Sequence, residues 1–138
     1  MSIAVRYYSR GGNTKKLAKA VEEAIEIPAL SIDEALAEKV DTLLLGCSYY
    51  AFDMDQKVKE FITENKDKIG KIVLFGTSAM MKSMKKPLKK QLQNMKVDIE
   101  IAEEEFHCAG SFKFMHKGRP NDEDIEAVKA FAKKIAEK

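Results

Sequence analysis

The chain has 138 residues, 45% of them apolar and 33% charged, with 24 basic against 22 acidic side chains and three prolines. A chain of that length hides roughly 70% of its unfolded surface on folding, which excludes a disordered chain and argues for one soluble domain with a real core. A net charge of +2 gives no general attraction to nucleic acid, and no apolar stretch approaches the roughly 18 to 20 residues that a membrane span needs.

Residues 3–8 read as a first strand, and after it Leu17, Val21 and Ile25 recur at fourfold steps, the stripe of an amphipathic helix. Residues 29–32 give a second strand and residues 42–47 a third. A helix carrying Val58, Phe61 and Ile62 follows, then a fourth strand at residues 72–75. The third and fourth runs are nearly all apolar, as expected of parallel strands covered on both faces. Pro87 suits the first turn of a helix carrying Leu88, Leu92 and Met95, because no intrahelical N–H bond is lost there. Residues 97–101 read as a fifth strand. The last helix starts at Asn121, a capping residue, with Asp122, Glu123 and Asp124 complementing the helix dipole, and runs through Ile125, Val128, Phe131 and Ile135. Five strands and about five helices in alternation predict a single doubly wound α/β domain over residues 1–138. In such a sandwich ligands bind beyond the carboxyl ends of the strands.

One of those strand ends carries the clearest chemistry. Ser9, Arg10, Gly11, Gly12, Asn13 and Thr14 lie between the first strand and the first helix. Two glycines let the backbone curl so that several N–H groups share one concavity, the short polar side chains add donors, and the helix N-terminus adds positive potential. A phosphate suits that site. The loop is not Gly-x-x-x-x-Gly-Lys-Ser/Thr, nor is it Gly-x-Gly-x-x-Gly, so neither a nucleoside triphosphate nor a dinucleotide is indicated. It also lacks a phosphatase cysteine, and no acidic cluster follows the first strand. What remains is a terminal monophosphate, held rather than cleaved.

The loop resembles the Ser/Thr-x-Thr-Gly-x-Thr phosphate loop of flavodoxins: Ser9, Gly12, Asn13 and Thr14 match, and Gly11 stands where threonine is usual. The element order, and the tail running from Phe106 through Gly110 and from Gly118 to Asp124, are similar as well. The resemblance implies a flavodoxin-like, three-layer fold with a five-stranded parallel sheet of order 2-1-3-4-5. It also implies FMN as cofactor, with its ring between the loops after the third and fourth strands. Ser48, Tyr49, Tyr50, Ala51 and Phe52 would supply stacking surface there, and Thr77, Ser78 and Ala79 small residues able to approach the polar edge of the ring. The chain departs from the family in three respects. Family members are generally acidic, whereas Lys82, Lys85, Lys86, Lys89 and Lys90 occur with no acid among them. The loop after the third strand has no glycine, and the loop after the fourth has no Tyr or Trp, leaving Phe112 or Phe114 to cover the ring.

His107 and His116 have no convergent metal partners in the sequence, and Cys47 and Cys108 form no Cys-x-x-Cys pair. No side chain is therefore expected to act as acid, base, nucleophile or metal ligand. The expectation is a monomeric cytoplasmic FMN protein that shuttles electrons between redox partner proteins, which would dock near Lys82 through Lys90, and that binds neither nucleic acid nor membrane. Two alternatives stay open. One is an FMN-dependent oxidoreductase acting on a quinone or similar small acceptor, and the other a flavin-free interaction module on the same fold.

Overall fold

The computed structural model describes residues 2–9, 12–50, 53–77, 85–108 and 118–137. Strand β1 (Ile3–Tyr7) leads into helix α1 (Asn13–Ile25), followed by β2 (Ala29–Ser31), β3 (Val40–Tyr50) and a two-residue strand β4 (Asp53–Met54). Helix α2 (Gln56–Asn65) and a 3-10 turn (Lys66–Lys68) precede β5 (Ile69–Thr77), α3 (Lys85–Asn94), β6 (Glu100–Cys108) and α4 (Asp122–Ala136). The long strands pair in parallel in the order β2-β1-β3-β5-β6, and β4 folds back antiparallel on the end of β3. Taken in chain order, the five parallel strands read 2-1-3-4-5, the order expected.

Alternation along the central strands divides the core into two layers. Leu43, Leu45, Cys47, Ile72 and Leu74 face α2 and α3, where Val58, Phe61, Ile62, Leu88 and Leu92 meet them. Val5, Leu44, Val73 and Phe75 face the other way, onto Leu17 and Val21 of α1 and Val128, Ala132 and Ile135 of α4. Because both faces of β3 and β5 are covered, both can be apolar throughout.

Residues 32–39, between β2 and β3, form turns and bends. That segment is held from outside: Arg6, buried in β1, donates to the carbonyls of Glu34 and Ala35 at 2.8 and 3.3 Å, Asn65 Oδ1 accepts from the Leu36 amide at 3.0 Å, and Lys68 Nζ donates to the Leu36 carbonyl at 2.7 Å. Its backbone groups thus find partners without helix formation. The fifth parallel strand lies at Glu100–Cys108 rather than residues 97–101, since Lys96 and Val97 close the end of α3.

Candidate functional site

The carboxyl ends of β1, β3 and β5 converge on the head of α1. Where the chain leaves β1, the Tyr8 amide donates to the Gly46 carbonyl at 2.9 Å, tying the start of the loop to β3. Ser9 Oγ then accepts from the Gly12 amide at 2.9 Å, so the backbone curls back within four residues. Gly12 sits at φ 88°, in the left-handed region that a residue with a Cβ enters at a cost of roughly 1–2 kcal/mol. Among the described residues, nothing lies within 4 Å of a Cβ built there. Gly12 also begins α1: its carbonyl accepts from the Lys16 amide at 3.2 Å, no side chain caps the helix, and the first turn holds no acid. The positive end of the helix dipole is therefore uncompensated by any acid of this turn.

Thr14 follows in the first turn with no solvent exposure, and its Oγ1 lies 3.2 Å from Oγ1 of Thr77 at the end of β5. Two residues expected at separate ligand loops are thus a direct pair across 63 positions. Gly46 makes the pairing possible. A Cβ at Gly46 would stand 2.5 Å from the Phe75 ring and 3.1 Å from Thr14 Cγ2, so only glycine lets α1 settle this close to β3. Sequence reasoning passed over Gly46, although a lone glycine interrupting an apolar strand run is a signal of close backbone approach. Asn13, half-buried, is the first helical residue.

Strand β3 continues past the sheet. Ser48 is in register with Thr77, and Tyr49 and Tyr50 pair with Met54 and Asp53 in a small hairpin. This register puts the backbone of Ser48 beside Thr77, with Tyr49 and Tyr50 next along the strand. Their side chains, together with Arg10, Gly11, Ala51, Phe52, Ser78 and Ala79, lie outside the described residues, as do Lys82, Phe112, Phe114 and His116. Sequence reasoning also missed Tyr8, which is half-buried against the α2 side of the core with Lys57 Nζ 5.8 Å from its ring centroid.

The nearby titratable groups are held neutral. Burial pushes the Cys47 thiol up to about 12, with Glu105 adding to the shift. The Cys108 thiol is likewise pushed up to about 12, by burial first and Asp124 second, against Arg119. Neither is a thiolate at neutral pH, so neither is a ready nucleophile. Burial lowers the His107 pKa against the opposing pull of Glu105, and His107 Nε2 is buried without a hydrogen-bond partner. Among the described residues no group of three or more His, Cys, Asp or Glu side chains is placed to hold a metal ion.

The family profile described as a flavodoxin domain matches residues 4–115. An uncharacterized protein of Methanocaldococcus jannaschii is 28% identical over 134 residues, covering 89% of each chain. Among solved structures, a flavodoxin from the domain Archaea superposes with a TM-score of 0.73 at 19% identity, covering 99% of this chain and 97% of its own. Oxidised flavodoxin 1 from Bacillus cereus gives 0.71 at 20% identity, covering 99% and 98%. Rubredoxin oxygen:oxidoreductase from Desulfovibrio gigas gives 0.71 at 15%, covering 98% of this chain and 35% of that one.

Proposed function

Because the chain belongs to the flavodoxin domain family, we propose that it binds FMN through the Ser9 to Thr14 loop and carries electrons between redox partner proteins. The observation that carries this reading is the positively polarised turn at Gly12. Its amide is already turned inward onto an oxygen, Ser9 Oγ, and the uncapped end of α1 has no acid in its first turn. A phosphate ester presents oxygens of the kind that Ser9 Oγ presents, with more charge, and a helix N-terminus favours them. The residues present therefore fit the phosphate end of FMN.

Bound there, FMN would supply the capacity to take up and release electrons one or two at a time. The chain's part is to hold and orient it. Gly12 keeps the backbone close to the phosphate, the Ser9 hydroxyl and the α1 amides offer donors, and Thr14, buried against Thr77, fixes where the first turn of α1 sits. Ser48 and Thr77 are in register at the ends of neighbouring strands, so the loops that would flank the ring leave from adjacent positions. The buried, protonated thiols of Cys47 and Cys108 take no part in the redox step. Rubredoxin oxygen:oxidoreductase, which contains a segment of this fold, supports reading the fold as an electron-transfer module.

The test is an FMN titration of the flavin-stripped protein, followed by the absorbance, with Thr14→Val and Lys15→Ala beside the parent. Thr14→Val should weaken FMN by at least about tenfold, because it breaks the bond to Thr77 that seats the first turn of α1, whose amides face the phosphate. Lys15→Ala should cost under about threefold, because Lys15 is exposed and is screened from the phosphate by solvent. Equal losses would overturn the hydroxyl-and-backbone account of phosphate holding, and no FMN binding by the parent would leave the flavin-free module.

A further inference from the structure

Charge is distributed along this chain with a break. Between Asp67 and Asp98 there are eight lysines and no acid, which leaves sixteen basic against 22 acidic groups in the rest, a net of −6. Helix α3 lies inside the basic stretch. Leu88 and Leu92 anchor one side of it in the core, while Lys86, Lys89 and Lys90, at steps of three and four, are exposed on the other. These three share one helical face.

The start of α3 is electrostatically inverted relative to α4 and lacks the acidic cap of α2. Helix α2 is capped by Asp55, and α4 opens with Asp122, Glu123 and Asp124, whereas α3 opens with Lys85 and Lys86 and has no acid in its first turn. Cations at the positive end of a helix dipole work against helix stability, so local folding does not account for them. They also stand at a particular place. Parallel pairing of β5 with β6 makes α3 run back antiparallel to the sheet, so its first turn lies at the end of the sheet where Thr77 meets Thr14.

We infer that the Lys86, Lys89 and Lys90 face of α3 docks an electron-transfer protein whose redox centre is ringed by Asp and Glu. The inference rests on the carrier reading and adds the partner's chemistry to it. Complementary charge at that position speeds encounter and aligns the partner beside the site end of the sheet. Nucleic acid is the less fitting occupant. The face has no arginine and no aromatic side chain between its lysines, the residues that grip phosphates in pairs and stack on bases.

Binding of rubredoxin, a small acidic iron protein with a surface metal centre, tests this by isothermal titration. The parent is compared with Lys86→Glu/Lys89→Glu/Lys90→Glu and with Lys19→Glu/Lys39→Glu/Lys134→Glu, which changes net charge equally at exposed positions elsewhere. The parent should bind rubredoxin and lose most of that binding between about 20 mM and about 300 mM salt. The α3 triple variant should bind at least tenfold more weakly, and the control triple should stay within twofold to threefold of the parent. Equal losses in the two triples, or no binding by the parent at low salt, would overturn the docking face. So would preferential binding of a DNA duplex or of anionic vesicles lost in the α3 variant. An FMN titration of each sample separates the two readings: rubredoxin binding by a chain that takes up no FMN would sink the carrier and leave the docking face standing.

Discussion

At the scale of single residues, His107 shows how burial converts into pH dependence. Its Nε2 is enclosed without a partner, and burial holds its pKa below the ordinary 6.5. In the unfolded chain the imidazole takes a proton as pH falls through about 6.5, while the native state resists until lower pH. The unfolded state then binds more protons, so stability should fall as pH drops from about 7 towards 5.5, with Glu105 reducing the loss. His107→Phe removes both the titration and an unsatisfied polar atom whose burial costs about 1–3 kcal/mol. Chemical denaturation at a series of pH values should find the variant at least as stable at pH 7 and flatter below it; parallel curves would refute the assignment. Legibility at this scale was uneven. Gly12 declared itself because a glycine between a strand and a helix has few other uses. Gly46 did not, since its purpose is set by Phe75 and Thr14, which only the folded sheet brings to it.

Among the elements, α3 ends in a way the sequence disguised. The Val97 amide donates to the Leu92 carbonyl at 2.9 Å and the Lys96 amide to Gln93 at 3.1 Å, the paired bonds of a Schellman motif, with Val97 and Leu92 both in the core. Lys96 holds φ 58°, where glycine is the ordinary choice. Apolar Val97 and Ile99 consequently read as a strand start although Val97 belongs to the helix stop. The true strand was masked by Glu103, Glu104 and Glu105, at the place where its register with β5 slips and regular alternation is lost. The residues from Asn121 to Asp124 were easier to read. Asn121 and Asp124 exchange hydrogen bonds in a capping box, and Arg119 donates to both carboxylate oxygens of Asp124, through Nε at 2.6 Å and Nη2 at 2.8 Å. Lys96→Gly should relieve about 1–2 kcal/mol of left-handed strain and return about 0.4–1 kcal/mol through the freer unfolded chain, a net gain near 1 kcal/mol. Thermal melts should rise by a few degrees; a fall would mean that the Lys96 side chain contributes more than its backbone costs.

For the molecule as a whole, the layer order was legible because apolar runs without alternation admit few arrangements once crossovers must be right-handed. The treatment of the sheet's edges was not, since edge protection depends on which strands end up outermost. One edge is β2, only three residues long. The other is β6, nine residues long and therefore the greater hazard for pairing with a second copy. Its register slips where Ile72 pairs with Ile101 but Leu74 pairs with Glu105, so four steps of β6 oppose two of β5. That irregularity bends the edge, and Glu103, exposed at its centre, sets like charge against like if two copies approach. Glu103→Val with Glu104→Val keeps the bulge but removes the repulsion and raises strand propensity. Sedimentation velocity over a concentration series should show the double variant associating while the parent's coefficient stays constant. If the variant also stays constant, the bulge alone protects the edge, and straightening residues 102–104 by deleting two of them becomes the change that would open it.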